Sequence, residues 1–434
     1  MADALAPVAK RLESLDFVRG CALFGILLMN IVGMGMGPAY DNPRAMGGDT
    51  GINLWTWIVM TVGFEGTQRA LFSILFGAGA ILLTSRLESR GRVDSADIYF
   101  RRQLWLIAFG MFNAWVLLWF GDILYAYGIT ALFLFAFRKL AGKTLLAIGI
   151  GALLLGATWN AFDASKALGI YRGYEAASAV APAQRSGEQK SAIGAWEAEE
   201  RKFTPHPEEI AEQRREETAS YWSALQLRSG INVYFQTWYM YRYFFDIFGM
   251  MMIGMALFRL GVLTGEVRSR VYWAMLLGGY GVGLAVNIAE MRWMLAHDIS
   301  VLAFKQAAIS YDVGRLAMTV GHLGLLLLFA RSGAFAWFRR SMAAVGRMAL
   351  TNYLAHSVVA LIIFVLLGWW GALERYQIYY IVFAVWAVQI VISPIWLKHF
   401  HFGPVEWLWR YLTYGKKPAF AKDPSPPRAE PVAA

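Results

Sequence analysis

Apolar runs long enough to cross a lipid bilayer recur ten times along this chain, and no other feature restricts its fold so strongly. A helix needs about 20 apolar residues to span roughly 30 Å of hydrocarbon. The segments are 18–37, 54–83, 103–120, 123–137, 144–159, 231–258, 271–288, 311–330, 345–367 and 378–397. Inside lipid every backbone polar group must be satisfied internally, and a helix does this within one segment. An all-α polytopic membrane protein with about ten transmembrane helices is therefore expected. The second segment is too long for one straight crossing and carries Glu65, Gln68 and Arg69 midway, which predicts a kink or a broken helix there.

Composition closes off the alternatives. Of 434 residues 58% are apolar and only 16% charged, which does not describe soluble domains or a disordered chain. The lone cysteine, Cys21, excludes an internal disulfide and a multi-cysteine metal site, and no metal ligand set is expected. The net charge of +10 is dispersed in short groups between apolar runs, so nucleic acid is not an expected partner and the bilayer is.

Those groups alternate. Fourteen Lys and Arg residues follow the second, fourth, sixth and eighth segments, among them Arg86, Arg90, Arg92, Arg101 and Arg102, whereas the short loops of opposite parity hold Arg44, Arg292, Lys305 and Arg375. Positive charge accumulates on the cytoplasmic side, so both termini are expected there, in a bacterial inner membrane. The first segment is read as a retained signal anchor, although Gly37-Pro38-Ala39 resembles a cleavage site. The chain divides into an N-terminal bundle (1–160), an extracytoplasmic polar insertion (161–229), a C-terminal bundle (230–400) and an amphipathic segment with a Pro- and Ala-rich tail (401–434), disordered from Lys416. The insertion reads as a solvated helical cap.

Ionisable side chains are costly in a membrane core, so those retained there are functional candidates or paired structural groups. Asp312, Arg315, Thr319 and His322 share one helical face, and Asn352 and His356 are an i, i+4 pair, as are Glu65 with Arg69 and Arg242 with Asp246. The last two read as neutralised pairs. At 1.5 Å per residue, Asn30, Glu65, His322 and His356 each lie roughly 15 to 20 Å deep. Either histidine suits general-base chemistry near neutral pH, with a carboxylate to set its tautomer, or serves as an interhelical clamp. Asp122 follows Gly121 in a short turn, where helix capping competes with chemistry.

The blocks Leu15-Asp16-Phe17-Val18-Arg19-Gly20, Leu75-Phe76-Gly77-Ala78-Gly79, Gly121-Asp122-Ile123-Leu124 with Tyr127-Gly128, and Val345-Gly346-Arg347-Met348-Ala349-Leu350-Thr351-Asn352-Tyr353-Leu354 resemble the bacterial domain-of-unknown-function 418 (YeiB-like) membrane proteins. The closing Gly403-Pro404-Val405-Glu406-Trp407-Leu408-Trp409-Arg410 is the most specific of them. That family is distantly similar to the transmembrane acyltransferases. The resemblance implies a ten- or eleven-helix bundle that takes an acyl group from cytoplasmic acyl-CoA, such as acetyl-CoA, to an acceptor at the outer face, a glycan or a lipid-linked molecule. Acyltransferase-3 proteins carry Arg, ten residues and a catalytic His on the first helix, and here the frame gives Arg19 and Asn30. An amide has no basic lone pair, so a base must come from elsewhere. His322 and His356 are the candidates, with Glu65 or Asp122 as supporting carboxylate. Arg19, Arg69, Arg315, Arg347, Asn30 and Asn352 are the expected binding residues, Arg19 suiting a CoA phosphate.

Three readings follow. An acyltransferase uses the midplane groups for proton transfer, a transporter, flippase or channel uses them to bind and release a polar solute, and a non-catalytic envelope partner uses them only as packing. No internal repeat is evident, which disfavours transporter folds built on inverted halves.

Overall fold

The computed structural model describes residues 2–89, 91 and 93–422. Arg90, Arg92 and the tail beyond 422 lie outside the described residues. The first half comprises α1 (Ala2–Gly35), α2 (Gly51–Phe64), α3 (Thr67–Ser89), α4 (Ser95–Trp115), α5 (Leu124–Phe137) and α6 (Gly142–Ser178). The insertion adds α7 (Gly187–Phe203), α8 (Pro207–Ala219) and the start of α9 (Tyr221–Tyr234). The second half continues with α10 (Met240–Arg259), α11 (Ser269–Ala296), α12 (Val301–Ala307), α13 (Tyr311–Ser332), α14 (Ala336–Arg347), α15 (Ala349–Ala360), α16 (Arg375–His399) and α17 (Pro404–Tyr414). Among the described residues the only β pairing is an isolated bridge between Phe400 and Ala421.

The chain is an all-α polytopic membrane protein. Eight helical runs among the described residues are long and apolar enough to cross a bilayer, and the 14-residue α5 is a shorter apolar helix. The expected segment 103–120 falls on α4, whose first half bears Arg101 and Arg102. The long second segment is broken, as its polar centre requires. α2 stops at Phe64 and α3 restarts at Thr67, with Gly66 at φ +67° between them. A Cβ at Gly66 would lie 2.1 Å from the Tyr311 hydroxyl, so glycine is needed for both backbone and space. A π-helical turn, Phe235–Tyr239, joins α9 to α10.

The first helix is the hub, packing against α3, α13, α14, α15 and α16. Helices α3 and α10 cross closely, where a Cβ at Gly77 would sit 1.9 Å from the Met251 carbonyl and one at Gly254 1.9 Å from that of Ile74. Small residues let the two backbones touch without a hydrophobic driving force, which lipid does not supply. The segment 345–367 is reached through the amphipathic α14, with Met348 as the joint into α15.

The insertion is tied to the bundle. Asn42 donates to the Phe203 carbonyl (3.0 Å) and the Thr204 hydroxyl (2.7 Å), and buried Arg228 pairs with Glu217 (2.7 Å) while donating to the Leu118 carbonyl. At the chain's other end the tail does not leave at Lys416. Lys422 N donates to the His399 carbonyl and Trp407 Nε1 to the Pro418 carbonyl, which folds 416–422 back on α16 and α17.

Candidate functional site

The fold leaves a cavity of about 530 Å³ at the end of the bundle that carries the insertion. Its walls come from chain ends that meet there: the loop after α1, the α2–α3 break, the turn before α5, the top of α6, the start of α10 and the approach to α13. Aromatic and aliphatic side chains such as Trp57, Phe64, Trp119 and Ile26 make most of the surface. The polar groups are concentrated rather than scattered, which is how ligand sites combine affinity with orientation.

One continuous network forms the polar wall. Asp246 of α10 accepts from Arg69 of α3 (2.5 Å) and from Arg315 of α13, whose guanidinium also reaches Asp312 (2.5 Å). Asn160 links Asp312 (3.4 Å) to Arg242 (2.7 Å), and Arg242 closes on Asp163 (3.0 Å). The expected i, i+4 partners are therefore exchanged. Arg69 turns from Glu65 to Asp246, and Arg242 turns from Asp246 to Asp163. For Arg69 the reason is the helix break: Glu65 ends α2 with non-helical ψ of 121°, which takes it off the face it would share with Arg69 in an unbroken helix, whereas within the continuous α10 Asp246 is taken by arginines of α3 and α13.

That exchange leaves the Glu65 carboxylate lining the cavity with no side-chain hydrogen bond or ion pair among the described residues. Asn30 of α1 lines the same space, its side-chain amide also without a hydrogen bond among the described residues. A third group, Asp41, stands in the loop after α1; its side chain is exposed to the cavity yet surrounded by protein, and burial pushes its carboxyl up to about 6 against the pull of Lys305. Asp122 completes the set. Its carboxylate accepts from Asn113 Nδ2 (2.7 Å), from the Tyr125 backbone N–H (2.8 Å), and from the Tyr353 hydroxyl (3.3 Å), and burial pushes it up to about 7. The bond to Tyr125 N caps the first turn of α5, so the capping role and the cavity position coexist.

The structure thus brings Asn30, Glu65, Arg69, Asp122 and Arg315 to one space and places the other sequence candidates elsewhere. His322 lies between the rings of Phe64 and Tyr280 (centroids 5.9 and 5.4 Å), with Nδ1 2.7 Å from the Met318 carbonyl of its own helix. His356 is buried between α15 and α16, its Nε2 3.1 Å from Gln389 Oε1. Asn352 belongs to the same contact, donating to Ser393 Oγ and Val345 O while its carbonyl accepts from Gln389. Arg19 and Arg347 sit at the opposite, arginine-rich end, Arg19 bonded to Asp16 at 2.6 Å and Arg347 exposed. Depth along a helix brought four groups level; only the direction each side chain faces separates them.

Sequence reasoning passed over Asp41, Glu290 and the tyrosines of the cavity, Tyr40, Tyr239, Tyr243 and Tyr311. Asp41 lies outside every apolar run, so a search for ionisable residues within spans does not find it. The tyrosines look like interfacial belt residues in one dimension.

The family pattern described as "Protein of unknown function (DUF418)" matches residues 257–416. The chain is 31% identical over 416 residues to "Uncharacterized protein YeiB" of Escherichia coli (strain K12), covering 93% of this chain and 96% of that protein. It is 29% identical over 427 residues to "Uncharacterized protein YxaH" of Bacillus subtilis (strain 168), covering 93% and 94%. A protein in the amylase 3' region of Bacillus acidopullulyticus is 24% identical, over 95% and 96% of the two chains. No solved structure matches.

Proposed function

Since this chain belongs to the DUF418, YeiB-like family of membrane proteins, we propose that it is a transmembrane acyltransferase whose base is Glu65. The observation that carries this reading is the α2–α3 break, which turns a carboxylate with no side-chain hydrogen bond or ion pair among the described residues into the cavity that the Asn30 amide also lines. The acceptor hydroxyl or amine gives its proton to Glu65 and attacks the thioester carbonyl of acyl-CoA. The Asn30 N–H donates to the oxyanion that develops, as preorganised donors do. The C–S bond then breaks, the acyl group stays on the acceptor oxygen or nitrogen, and the CoA thiolate takes up the proton.

The donor side rests on α1. Arg19 and Asn30 are eleven residues apart, about 16 Å along the axis and within about 20° of the same face. Arg19 and Arg347 hold the CoA phosphates at the arginine-rich end, which is the cytoplasmic side in this reading, and acetyl-CoA is the expected donor.

Purified protein in detergent, supplied with radiolabelled acetyl-CoA and a bacterial lipid and glycan extract, tests the assignment. Glu65→Gln is expected to lower transfer by 10²–10⁴-fold with unchanged melting, since that is the usual contribution of a positioned base. Full transfer by folded Glu65→Gln would overturn it. The broken helix also favours a second reading, since interrupted membrane helices bind polar solutes in transporters. Solute flux in vesicles without any acyl-CoA would select that reading instead.

A further inference from the structure

A second concavity, of about 510 Å³, runs along the outside of the bundle between α5 and α10. Ile129, Phe133 and Phe137 form one wall, and Met240, Phe244 and Phe248 the other. Rings meet across it in register, Phe133 with Phe244 (5.3 Å) and Phe137 with Phe248 (5.6 Å), so the floor is a packed aromatic ladder and not a gap. Phe133 and Tyr241 are more than half exposed, on the short apolar α5 and on the membrane-spanning run that contains α10, so the groove opens to lipid.

Any membrane protein shows apolar side chains to lipid, so the groove alone carries nothing. What distinguishes it is where it leads. Tyr125, Gln236 and Met240 line both the groove and the central cavity, and the π-helical turn Phe235–Tyr239 lies at that junction. Gln236 accepts from Trp115 Nε1 at 3.0 Å, while its own buried Nε2 has no partner among the described residues. From Tyr125 to Phe137 and from Gln236 to Phe248 the walls extend about 18 Å, close to the roughly 15 Å hydrocarbon depth of one leaflet.

Charge selects the head group. Asp41, Glu65, Asp122, Asp246, Glu290 and Asp312 line the cavity against three arginines, and all three arginines are already paired with Asp246, Asp312 or Asp163. The groups left over are carboxyls, Asp41 and Asp122 among them raised by burial towards neutrality, and no cavity arginine is left without a carboxylate. Such a lining accepts hydrogen bonds from an amine or a sugar hydroxyl and offers no unpaired cation to an anionic head.

We propose that the acceptor is a membrane lipid of the leaflet on the insertion side, carrying no net negative charge, with its tail in the α5–α10 groove and its amine or hydroxyl head reaching through the Tyr125–Gln236–Met240 junction into the cavity. This rests on the acyltransferase reading for the fate of the head group. The groove itself does not need that reading.

The test uses the full-length protein in lipid nanodiscs with a trace of phosphatidylethanolamine carrying a photoactivatable tail. After irradiation, labelling is expected on α5 and α10 peptides at least fivefold above α11 and α16, which are less buried within the protein than α10. Excess phosphatidylethanolamine or glucosyldiacylglycerol is expected to displace it, and phosphatidylglycerol is not. Ile129→Trp, which fills the groove, is expected to lower labelling at least fivefold. Even labelling of all lipid-facing helices, or equal displacement by phosphatidylglycerol, would overturn the proposal without recourse to a variant. Transfer from acetyl-CoA is measured in the same discs. Groove labelling without transfer would sink the acyltransferase reading alone; transfer to a soluble amino sugar with even labelling would sink the groove alone.

Discussion

Replacing Asp246 by alanine removes the one carboxylate that two arginines share. Arg315 keeps Asp312 after the change, so the loss falls chiefly on Arg69, whose only ion-pair partner among the described residues is Asp246. Breaking a buried pair by deleting one partner costs about 3–5 kcal/mol, because the other charge stays buried and uncompensated. Arg69 is 26% exposed, towards the cavity, which puts the expected loss near the lower end, about 3 kcal/mol. With an unfolding entropy of about 2.1 cal/mol/K per residue, that corresponds to a Tm lowered by at least about 3 °C, and by more if unfolding in detergent releases less entropy. Thermal unfolding of the purified protein in detergent reads this directly. The companion is Asp246→Ala with Arg69→Met, which removes the orphaned charge and is expected to recover most of the loss. An Asp246→Ala variant that melts within 1 °C of the parent, or a double variant less stable than the single one, would refute the assignment of Asp246 as the counter-ion.

Three further outcomes are expected. Gly77→Ala places a methyl 1.9 Å from the Met251 carbonyl and is expected to cost about 1–3 kcal/mol in melting experiments, whereas Gly79→Ala, with nothing within 4 Å of the new carbon, is expected to be near neutral. Glu406→Ala removes the carboxylate that accepts from Leu350 N, Thr351 N and the Thr351 hydroxyl at the start of α15, and is expected to cost about 1–2 kcal/mol; an unchanged Tm would show that water replaces the cap. Asp122 has its carboxyl raised from 3.8 to about 7 in the folded protein, so the folded state holds a proton that the unfolded state has released. That contribution is complete below about pH 4, declines towards pH 7 and is absent above it. Tm is therefore expected to fall between pH 5 and 7.5 more steeply in the parent than in Asp122→Asn, and identical slopes would contradict the shift.

Much of the architecture was legible because a membrane imposes a one-dimensional rule. The apolar runs had to be helices, and Glu65, Gln68 and Arg69 in the middle of one of them announced the break between α2 and α3. The site was legible only in part. Asn30, Glu65, Asp122, Arg69 and Arg315 were marked by the cost of burying polar groups, and the structure places all five around one cavity. Helical spacing nevertheless gave Arg69 and Arg242 the wrong partners, because it holds only while a helix is continuous and while no neighbouring helix offers a better carboxylate. The two histidines equalled Asn30 in estimated depth but face α11 and α16 instead of the cavity, and the azimuth of a helix in a bundle is set by packing between segments far apart in sequence. The insertion hid its attachment for the same reason, since Asn42 and Phe203 are brought together only by the fold.

The central position of α1 also orders the protein's synthesis. It leaves the ribosome before the other helices described, yet α14, α15 and α16, which close around it, follow only about 300 residues later. Until then its Asn30 and its packing face must wait in lipid or in the care of the insertion machinery. Two late contacts then fasten the loop beyond it, Arg375 to the Ala39 carbonyl and Gly371 N to the Gly35 carbonyl. A frameshift between α13 and α14 would therefore injure α1, leaving it inserted but without α14, α15 and α16 around it.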